Sequence, residues 1–234
     1  MKRLIERIDY LEEKDNLEIY LHKRRYELVK RYCREGNILD LGCGLGWGGS
    51  FLSPKGYVIG LDIDKEAIRE AKRRYASNSN VEFICADATN LPFRDKSLDT
   101  VVSIENIEHI KDQEKYIQTV YRVLKKDGIL VLSTPNRLDP HMKLEKALGI
   151  YQPNPYHTHE FSPKELFLSL SREGFTIISY RGVFLHIPVV TRFLRKYQLF
   201  CKLLVNFNSI KLCRYTFVVA KKKRKGNEAP INLG

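Results

Sequence analysis

Apolar residues are distributed along the chain in two alternating patterns. Short continuous apolar runs, which are typical of buried β-strands, occur near residues 37–42, 57–62, 81–85, 97–103 and 128–133. The segments between them carry apolar residues at helical spacing, as at 65–75 and 113–124. Strands that alternate with helices of this length predict a parallel, doubly wound sheet.

The pattern continues on both sides of this core. Residues 1–35 contain two helical stretches, the second around 17–32. Ser162 followed by Pro163 supplies a helix N-cap and a first helical residue, which predicts a helix over 163–172. Two more strands, the sixth and the seventh, are predicted at 175–180 and 214–220.

A glycine-rich loop joins the first strand to the next helix. The sequence NILDLGCGLGWGG at 37–49 is followed at 58–64 by VIGLDID, a second strand that ends on an acid. This is the βαβ plan for holding a nucleoside. Gly42, Gly44 and Gly46 allow a sharp turn and a close approach to a ligand. The helix that starts beyond them would direct its free N–H groups at an anion. The segment therefore predicts a site for an adenosine-containing cofactor.

The acid before the loop narrows the choice of cofactor. Gly44, Gly46 and Gly49 satisfy the spacing of a dinucleotide fingerprint. Asp40, however, lies two residues before the first glycine, where a carboxylate contributes nothing to binding a pyrophosphate. A carboxylate in this place suits the cationic amine of a methionine moiety.

Two later acids agree with that choice. Asp62 closes the second strand, where its carboxylate can accept both hydroxyls of a ribose. Asp87 follows the third strand, where it can accept from an adenine amino group. Cys43, within the loop, is interpreted as a small filler rather than as a nucleophile.

With these residues the chain resembles the class I S-adenosylmethionine-dependent methyltransferases. It also carries that family's later landmarks, LDTVVSIENIEHI at 98–110 and VLKKDGILVLSTPNR at 123–137. Within the family, the motifs GWGG, IENIEH, STPNR and NPYHTHEF are similar to the quinone-biosynthesis O-methyltransferases and to uncharacterised prokaryotic methyltransferases of that group.

The resemblance implies a fold and a reaction. The fold is a Rossmann-like sheet of seven strands in the order 3-2-1-4-5-7-6, with strand 7 antiparallel. The reaction is methyl transfer from S-adenosylmethionine to a small-molecule, glycan or lipid-linked acceptor, at oxygen, which leaves S-adenosylhomocysteine. The residues expected to contact the cofactor are Arg25, Asp40, Gly42, Cys43, Gly44, Gly46, Asp62, Ile63, Asp87, Ala88, Ile104 and Glu105.

One of these assignments has a plain alternative. The resemblance implies that Arg25, on the helix before the first strand, pairs with the methionine carboxylate. Arg25 would otherwise belong to a solvated helix face.

The candidate catalytic residues are His157 and His159, which lie with Glu160 after the fifth strand. This segment is expected to arch over the cleft. A histidine there could remove a proton from a hydroxyl acceptor. The alternative is that these side chains only bond the loop to the start of the next helix.

A metal site is a separate question. The spacing of Glu105, Glu108 and His109 is similar to a divalent-cation site proposed for quinone O-methyltransferases. The same letters occur in related enzymes that use no metal, where the first glutamate lines the methionine end of the cofactor site. No metal is expected.

Basic charge is concentrated at the end of the chain. Residues 181–234 contain twelve Lys or Arg and one acid, against a net charge of +12 for all 234 residues. Within this region, 189–207 has the pattern of a basic amphipathic helix inserted between the last two strands. Such a helix could cover the sheet or cleft, dock on an anionic membrane surface, or contact nucleic acid. Nucleic acid is disfavoured, because no recognised RNA- or DNA-reading motif accompanies it.

Composition and charge bound the remaining possibilities. The N-terminus predicts no signal peptide, no apolar run approaches the length of a membrane span, and five widely spaced cysteines indicate reduced thiols. A cytoplasmic protein, with peripheral membrane contact as an option, is expected. Two other classes of function remain open: a nicotinamide-dependent oxidoreductase, against which Asp40 and Asp87 count, and a non-catalytic cofactor- or RNA-binding protein.

We expect a single methyltransferase domain over 1–220 and a disordered basic tail over 221–234. The parts of the domain are a helical lid at 1–35, a cofactor-binding core at 36–135, an active-site cap at 136–161 and an amphipathic insertion at 182–212.

Overall fold

The computed structural model of the protein describes residues 17–185, 209–210 and 212–223. The strands are β1 (Gly36–Leu41), β2 (Gly56–Asp62), β3 (Val81–Cys85), β4 (Leu98–Ile104), β5 (Leu124–Pro135), β6 (Phe175–Leu185) and β7 (Cys213–Lys222). The α-helices are α1 (Leu17–Tyr32), α2 (Trp47–Leu52), α3 (Lys65–Arg74), α4 (Gln113–Val123), α5 (Pro140–Ala147) and α6 (Pro163–Arg172).

The strands form one seven-stranded sheet in the order β3-β2-β1-β4-β5-β7-β6. The first five strands are parallel, and β7 runs antiparallel to both of its neighbours. The fold class and strand order expected from the sequence are therefore confirmed. Because parallel strands end at one edge, Leu41, Asp62 and Ile104 bring the segments that follow them together.

Alternation along the strands places apolar side chains in a core on each side of the sheet. Ile38 packs with α1 and α2 in one core, while the next residue, Leu39, packs with α4 and α6 in the other. Both side chains are completely buried. Strands covered on two faces explain why their sequences are continuous apolar runs.

Helix starts follow local chemistry that the sequence displays. The Ser162 side chain accepts from the Glu165 amide, and the Glu165 carboxylate accepts from the Ser162 amide, which is a capping box. The helix predicted over 163–172 and the one predicted around 17–32 are both found with those bounds.

The later strands are longer than predicted. β5 begins at Leu124, β6 continues to Leu185, and β7 includes Lys221 and Lys222. The predicted insertion therefore begins inside β6, and the predicted tail begins two residues too early. Lys222 stays in the sheet because its Nζ donates to the Leu124 carbonyl at 2.7 Å, which satisfies the buried amine.

One helix in the cap was not predicted. α5 begins at Pro140, with Asp139 as its N-cap accepting from the His141 amide at 3.1 Å. An acid followed by proline is a recognisable helix start, and it is the signal that could have identified this element.

Three predictions lie outside the described residues: the first N-terminal helical stretch, the amphipathic helix at 189–207 and the last eleven residues of the tail. Where the structure describes them, the cysteines are free thiols. Within the same part of the chain, no helix has the length and apolarity needed to cross a membrane.

Candidate active site

The loop after β1 depends on glycine at two positions. Gly42 has φ +80°, and a Cβ there would lie 2.6 Å from the Asn106 side chain. Gly46 has φ +84°, and a Cβ there would lie 2.6 Å from the Phe83 ring. A side chain would therefore meet both backbone strain and a clash at each position. The loop is held close to the end of β4 and to β3 as a result.

Asp62 ties this loop to the end of β2. The Gly44 amide donates to its Oδ2 and the Asp64 amide to its Oδ1, each at 3.0 Å. The Ala86 amide donates to the Asp62 carbonyl at 3.1 Å, which brings the segment after β3 to the same place. The segments that follow β1, β2 and β3 thus meet at one residue, Asp62.

A cleft of about 850 Å³ opens along this edge of the sheet. Its size suits a cofactor together with part of an acceptor. Eight of the twelve predicted cofactor residues line it: Arg25, Gly42, Cys43, Gly44, Asp62, Ile63, Ile104 and Glu105. The four that do not line it are Asp40, Gly46, Asp87 and Ala88.

Asp40 is buried beneath the cleft. Its Oδ1 accepts from the Tyr26 hydroxyl at 2.8 Å, while its Oδ2 finds no donor among the described residues. Burial raises the pKa of this carboxyl to about 7. Tyr26, on α1, lines the cleft. Asp40 therefore positions α1 against β1, and its influence on a ligand would pass through Tyr26.

Asp87 and Ala88 follow β3 at the same edge as Asp62. The Asp87 Oδ1 accepts from the Thr89 amide at 2.7 Å and from the Thr89 hydroxyl at 2.9 Å. These bonds hold the carboxylate in the turn after β3, one residue beyond the Ala86 contact with Asp62. Its second oxygen is the one available to an adenine amine.

A second wall comes from α1 and β7. Arg25 is buried, with its guanidinium carbon 4.3 Å from the centre of the Tyr215 ring. Arg214 lies over the same ring at 5.6 Å, and all three residues line the cleft. The alternative of a solvated face for Arg25 is excluded by its burial. Sequence reasoning missed Arg214 and Tyr215, because their approach depends on β7 pairing beside β5.

His157 and Glu160 form a hydrogen-bonded pair in the cap. His157 Nδ1 donates to Glu160 Oε1 at 2.7 Å, and Asn154 Nδ2 donates to His157 Nε2 at 3.1 Å. The hydrogen bond from His157 lowers the pKa of Glu160. All three residues line the cleft. The pair has the geometry of an oriented imidazole base.

His159, the other predicted catalytic residue, is not brought to the cleft. Its ring packs edge-on against Phe161, with 5.0 Å between centroids, and its carbonyl accepts from the Gln113 side chain. The His159 side chain therefore packs within the cap, and the hydrogen bond to α4 is made by its backbone carbonyl rather than by its ring.

Two glutamates lie near the histidine pair. Burial, and then the charge of Glu105, raise the pKa of Glu108 well above its usual value. Thr134 donates to Glu108 at 3.0 Å, and Ser133 donates to Glu105 at 2.7 Å. Glu105 has φ +51°, a strained conformation for a side-chain-bearing residue. Both carboxyl groups are thereby fixed at the cleft wall.

The same region contains a group that could hold a metal ion. One potential ligand atom from each of Glu108, His109 and His157 lies within 4.8 Å of the others. His109 donates from Nδ1 to the Tyr156 carbonyl at 3.2 Å, which leaves its Nε2 for a ligand or a substrate.

The cleft fits an S-adenosylmethionine-type cofactor on the chemistry of its groups. Gly42 and Gly44 leave a cradle that side chains would fill, beside the Asp62 carboxylate and the exposed apolar side chain of Ile63. Asn106 also lines the cleft. A ligand that offers hydroxyls and an apolar ring fits these groups.

Comparison with known proteins agrees with the geometry. Residues 39–132 match the methyltransferase domain family. A probable S-adenosylmethionine-dependent methyltransferase of Mycolicibacterium smegmatis is 32% identical over 164 residues, which are 70% of this chain and 61% of that protein. An O-methyltransferase of Aspergillus sclerotiorum is 30% identical over 169 residues, 68% of this chain and 62% of that protein. The chain thus spans about three fifths of the length of these relatives.

Solved structures share the fold. The PH0226 protein of Pyrococcus horikoshii superimposes with a TM-score of 0.67 over 95% of this chain and 100% of its own, at 23% identity. At this identity the likeness concerns the fold.

Proposed function

We propose, on the premise that this chain carries a class I S-adenosylmethionine-dependent methyltransferase domain, that it methylates a hydroxyl oxygen of a small-molecule, glycan or lipid-linked acceptor. The observation that carries the proposal is the His157–Glu160 pair at the wall of the cofactor cleft.

The cleft residues, together with Asp87 at the same edge of the sheet, would divide the binding of the cofactor among them. Asp62 would accept the ribose hydroxyls, Ile63 would pack on the adenine, and Asp87 would accept its amino group. Arg25 would hold the methionine carboxylate. When bound, the cofactor supplies an electrophilic methyl group on a sulfonium. The protein's task is then to align the acceptor and to move one proton.

His157 is suited to that proton transfer. Its Nδ1–H is held by Glu160, so Nε2 carries the lone pair, which now accepts from Asn154. An acceptor hydroxyl that displaces the Asn154 contact would meet a base already in the correct tautomer. The ionised Glu160 stabilises the imidazolium that forms.

One observation favours oxygen as the acceptor atom. A neutral hydroxyl is a poor nucleophile until a base accepts its proton, and the His157–Glu160 pair provides such a base. Glu108, with its raised pKa, is poised as a proton donor or neutral hydrogen-bond partner rather than as the base.

A second candidate mechanism uses a divalent cation at Glu108, His109 and His157 to activate the hydroxyl. In this mechanism His157 binds the metal and does not accept the proton. Chelation distinguishes the two mechanisms, because base catalysis by His157 predicts that the rate of methyl transfer is unchanged after dialysis against EDTA. Activity lost to EDTA and restored by one divalent metal would support the second candidate.

The proposed function is tested by following labelled methyl groups from S-adenosylmethionine into lipid, glycan and quinone extracts. Label in an alkali-stable methyl ether with the wild-type protein, and at least about 100-fold less with His157→Ala, is expected. Equal labelling by the two proteins would remove the support for the proposed base.

A further inference from the structure

The outer side of the cap exposes apolar side chains to solvent. Leu144 is 48% exposed, and Leu148 and Ile150 are each 62% exposed. α5 itself contributes no buried residue. An apolar cluster of this kind at one place is unusual for a surface that contacts only water. We call Lys143, Leu144, Lys146, Leu148 and Ile150 the cap surface.

The cap surface lies at the mouth of the cleft. His141, Met142 and Glu145, on the same helix, line the cleft. Because α5 alone lies between the cap surface and the cleft, a membrane that contacts the cap surface would be about one helix diameter from the cofactor site.

The charges of the cap surface are of one sign. Lys143 and Lys146 are exposed, and the Lys146 ammonium lies 4.6 Å from the centre of the Tyr151 ring. The acid of α5, Glu145, lines the cleft. Apolar side chains flanked by lysines are the pattern of a helix that lies in a bilayer interface, where the aliphatic stems enter and the ammonium groups meet anionic headgroups.

We propose that the cap surface docks the protein on anionic lipid bilayers, with the cleft mouth at the bilayer interface. Charge complementarity favours this occupant over a second copy of the chain, whose cap would carry the same positive charge. The inference deepens the proposed function, on which it rests for its choice of a lipid-linked acceptor among the three classes.

Docking is measured by co-sedimentation of the full chain with two vesicle types at low salt. One contains phosphatidylcholine alone, and the other contains phosphatidylcholine with one third phosphatidylglycerol. Binding to the anionic vesicles alone is expected. Lys143→Gln with Lys146→Gln should weaken it about 25-fold, since each lysine near the surface contributes about fivefold. Leu144→Ser with Leu148→Ser should weaken it at least about tenfold.

A control changes two other exposed apolar residues, away from the cap. Leu168→Ser with Ile178→Ser, on α6 and β6, should leave vesicle binding unchanged. An equal loss in this control would mean that general surface hydrophobicity is responsible, which overturns the proposal.

Other occupants of the cap surface give other results. If the protein's own chain covers it, wild type does not sediment and Leu144→Ser with Leu148→Ser lowers the melting temperature by several degrees. If a second copy covers it, the same variant changes the sedimentation coefficient without vesicles. Either result overturns docking.

Methyl transfer to a water-soluble hydroxyl acceptor without vesicle binding would overturn docking and leave the proposed function standing. Vesicle binding by a protein that transfers no methyl group to any hydroxyl acceptor would leave docking standing and overturn the proposed function.

Discussion

The backbone amide of Gly44 donates to the Oδ2 of Asp62 at 3.0 Å, across the gap between β1 and β2. This bond makes the glycine loop and the acid at the end of β2 a single unit. The loop cannot move away from the carboxylate without leaving that oxygen partly unsatisfied. The cofactor site is therefore organised by the fold itself.

The first prediction concerns this unit. Replacing Asp62 with Ala should weaken S-adenosylmethionine binding tenfold or more, because charge-assisted hydrogen bonds to hydroxyls contribute roughly 1.5–3 kcal/mol each. Calorimetry measures the affinity and circular dichroism checks the fold. Asp64→Ala is the matched control, since Asp64 caps α3 and does not line the cleft. A folded Asp62→Ala variant with unchanged affinity would contradict the assignment.

The second prediction concerns adenine recognition by Asp87. S-adenosylhomocysteine should bind more tightly than its inosine analogue, which presents a carbonyl where adenine has an amine. One Asp87 oxygen is held by Thr89, so the other can read the amine. Equal affinities in a competition titration would show that Asp87 does not face the base.

Most element bounds could be predicted because they depend on local pattern, whereas the strand order was implied by the resemblance to the methyltransferase family. Ser162 and Pro163 mark the start of α6 by chemistry within one turn, and the apolar runs of β1 to β4 each occupy one stretch of chain. Asp62 and the glycine loop are also local signals. Their meeting then follows from parallel strands ending at one edge.

The residues that were missed are brought in by distant pairing. Tyr215 reaches the cleft because β7 inserts beside β5, where it pairs with Pro135. Burial of Asp40 against Tyr26 depends on how α1 packs. His157 and His159 are two residues apart, and sequence alone could not tell which one faces the cleft.

The third prediction separates those two histidines. His157→Ala should reduce methyl transfer by roughly 10²- to 10⁴-fold, the usual loss when a general base is removed, with S-adenosylmethionine affinity unchanged. His159→Ala should leave transfer close to the wild-type rate. Comparable losses in both variants would indicate a structural effect of the cap rather than base catalysis.

The Glu160→Gln variant provides a sharper form of this prediction. The Glu160 carboxylate accepts from His157 Nδ1 at 2.7 Å, which leaves Nε2 as the basic nitrogen. Replacing the carboxylate with an amide removes the negative charge beside the imidazolium that forms during proton transfer. Methyl transfer should therefore become slower while S-adenosylmethionine affinity stays unchanged. An unchanged rate of methyl transfer would show that Glu160 does not support the base.

The fourth prediction concerns stability and Asp40. A carboxyl whose folded-state pKa is raised from 3.8 to about 7 contributes stability that is present below the unfolded pKa and is lost as pH rises through about 7. Asp40→Asn removes this loss. Relative to wild type, the variant should gain roughly 3 kcal/mol between pH 5 and pH 8. Urea unfolding at both pH values measures the free energy of unfolding of the variant and of wild type. A difference between the two proteins that is the same at pH 5 and pH 8 would contradict burial as the cause of the raised pKa.

The most direct test of the account follows the transferred methyl group itself. S-adenosylmethionine labelled with ¹³C in its methyl group is incubated with the protein and an acceptor extract, and the product is examined by NMR. The carbon shift distinguishes a methyl ether from a methyl on nitrogen or carbon. We expect a methyl ether that forms more slowly in the Asp62→Ala reaction at limiting S-adenosylmethionine and at least about 100-fold more slowly in the His157→Ala reaction. A methyl group on nitrogen or carbon, or an ether formed equally well by His157→Ala, would contradict it.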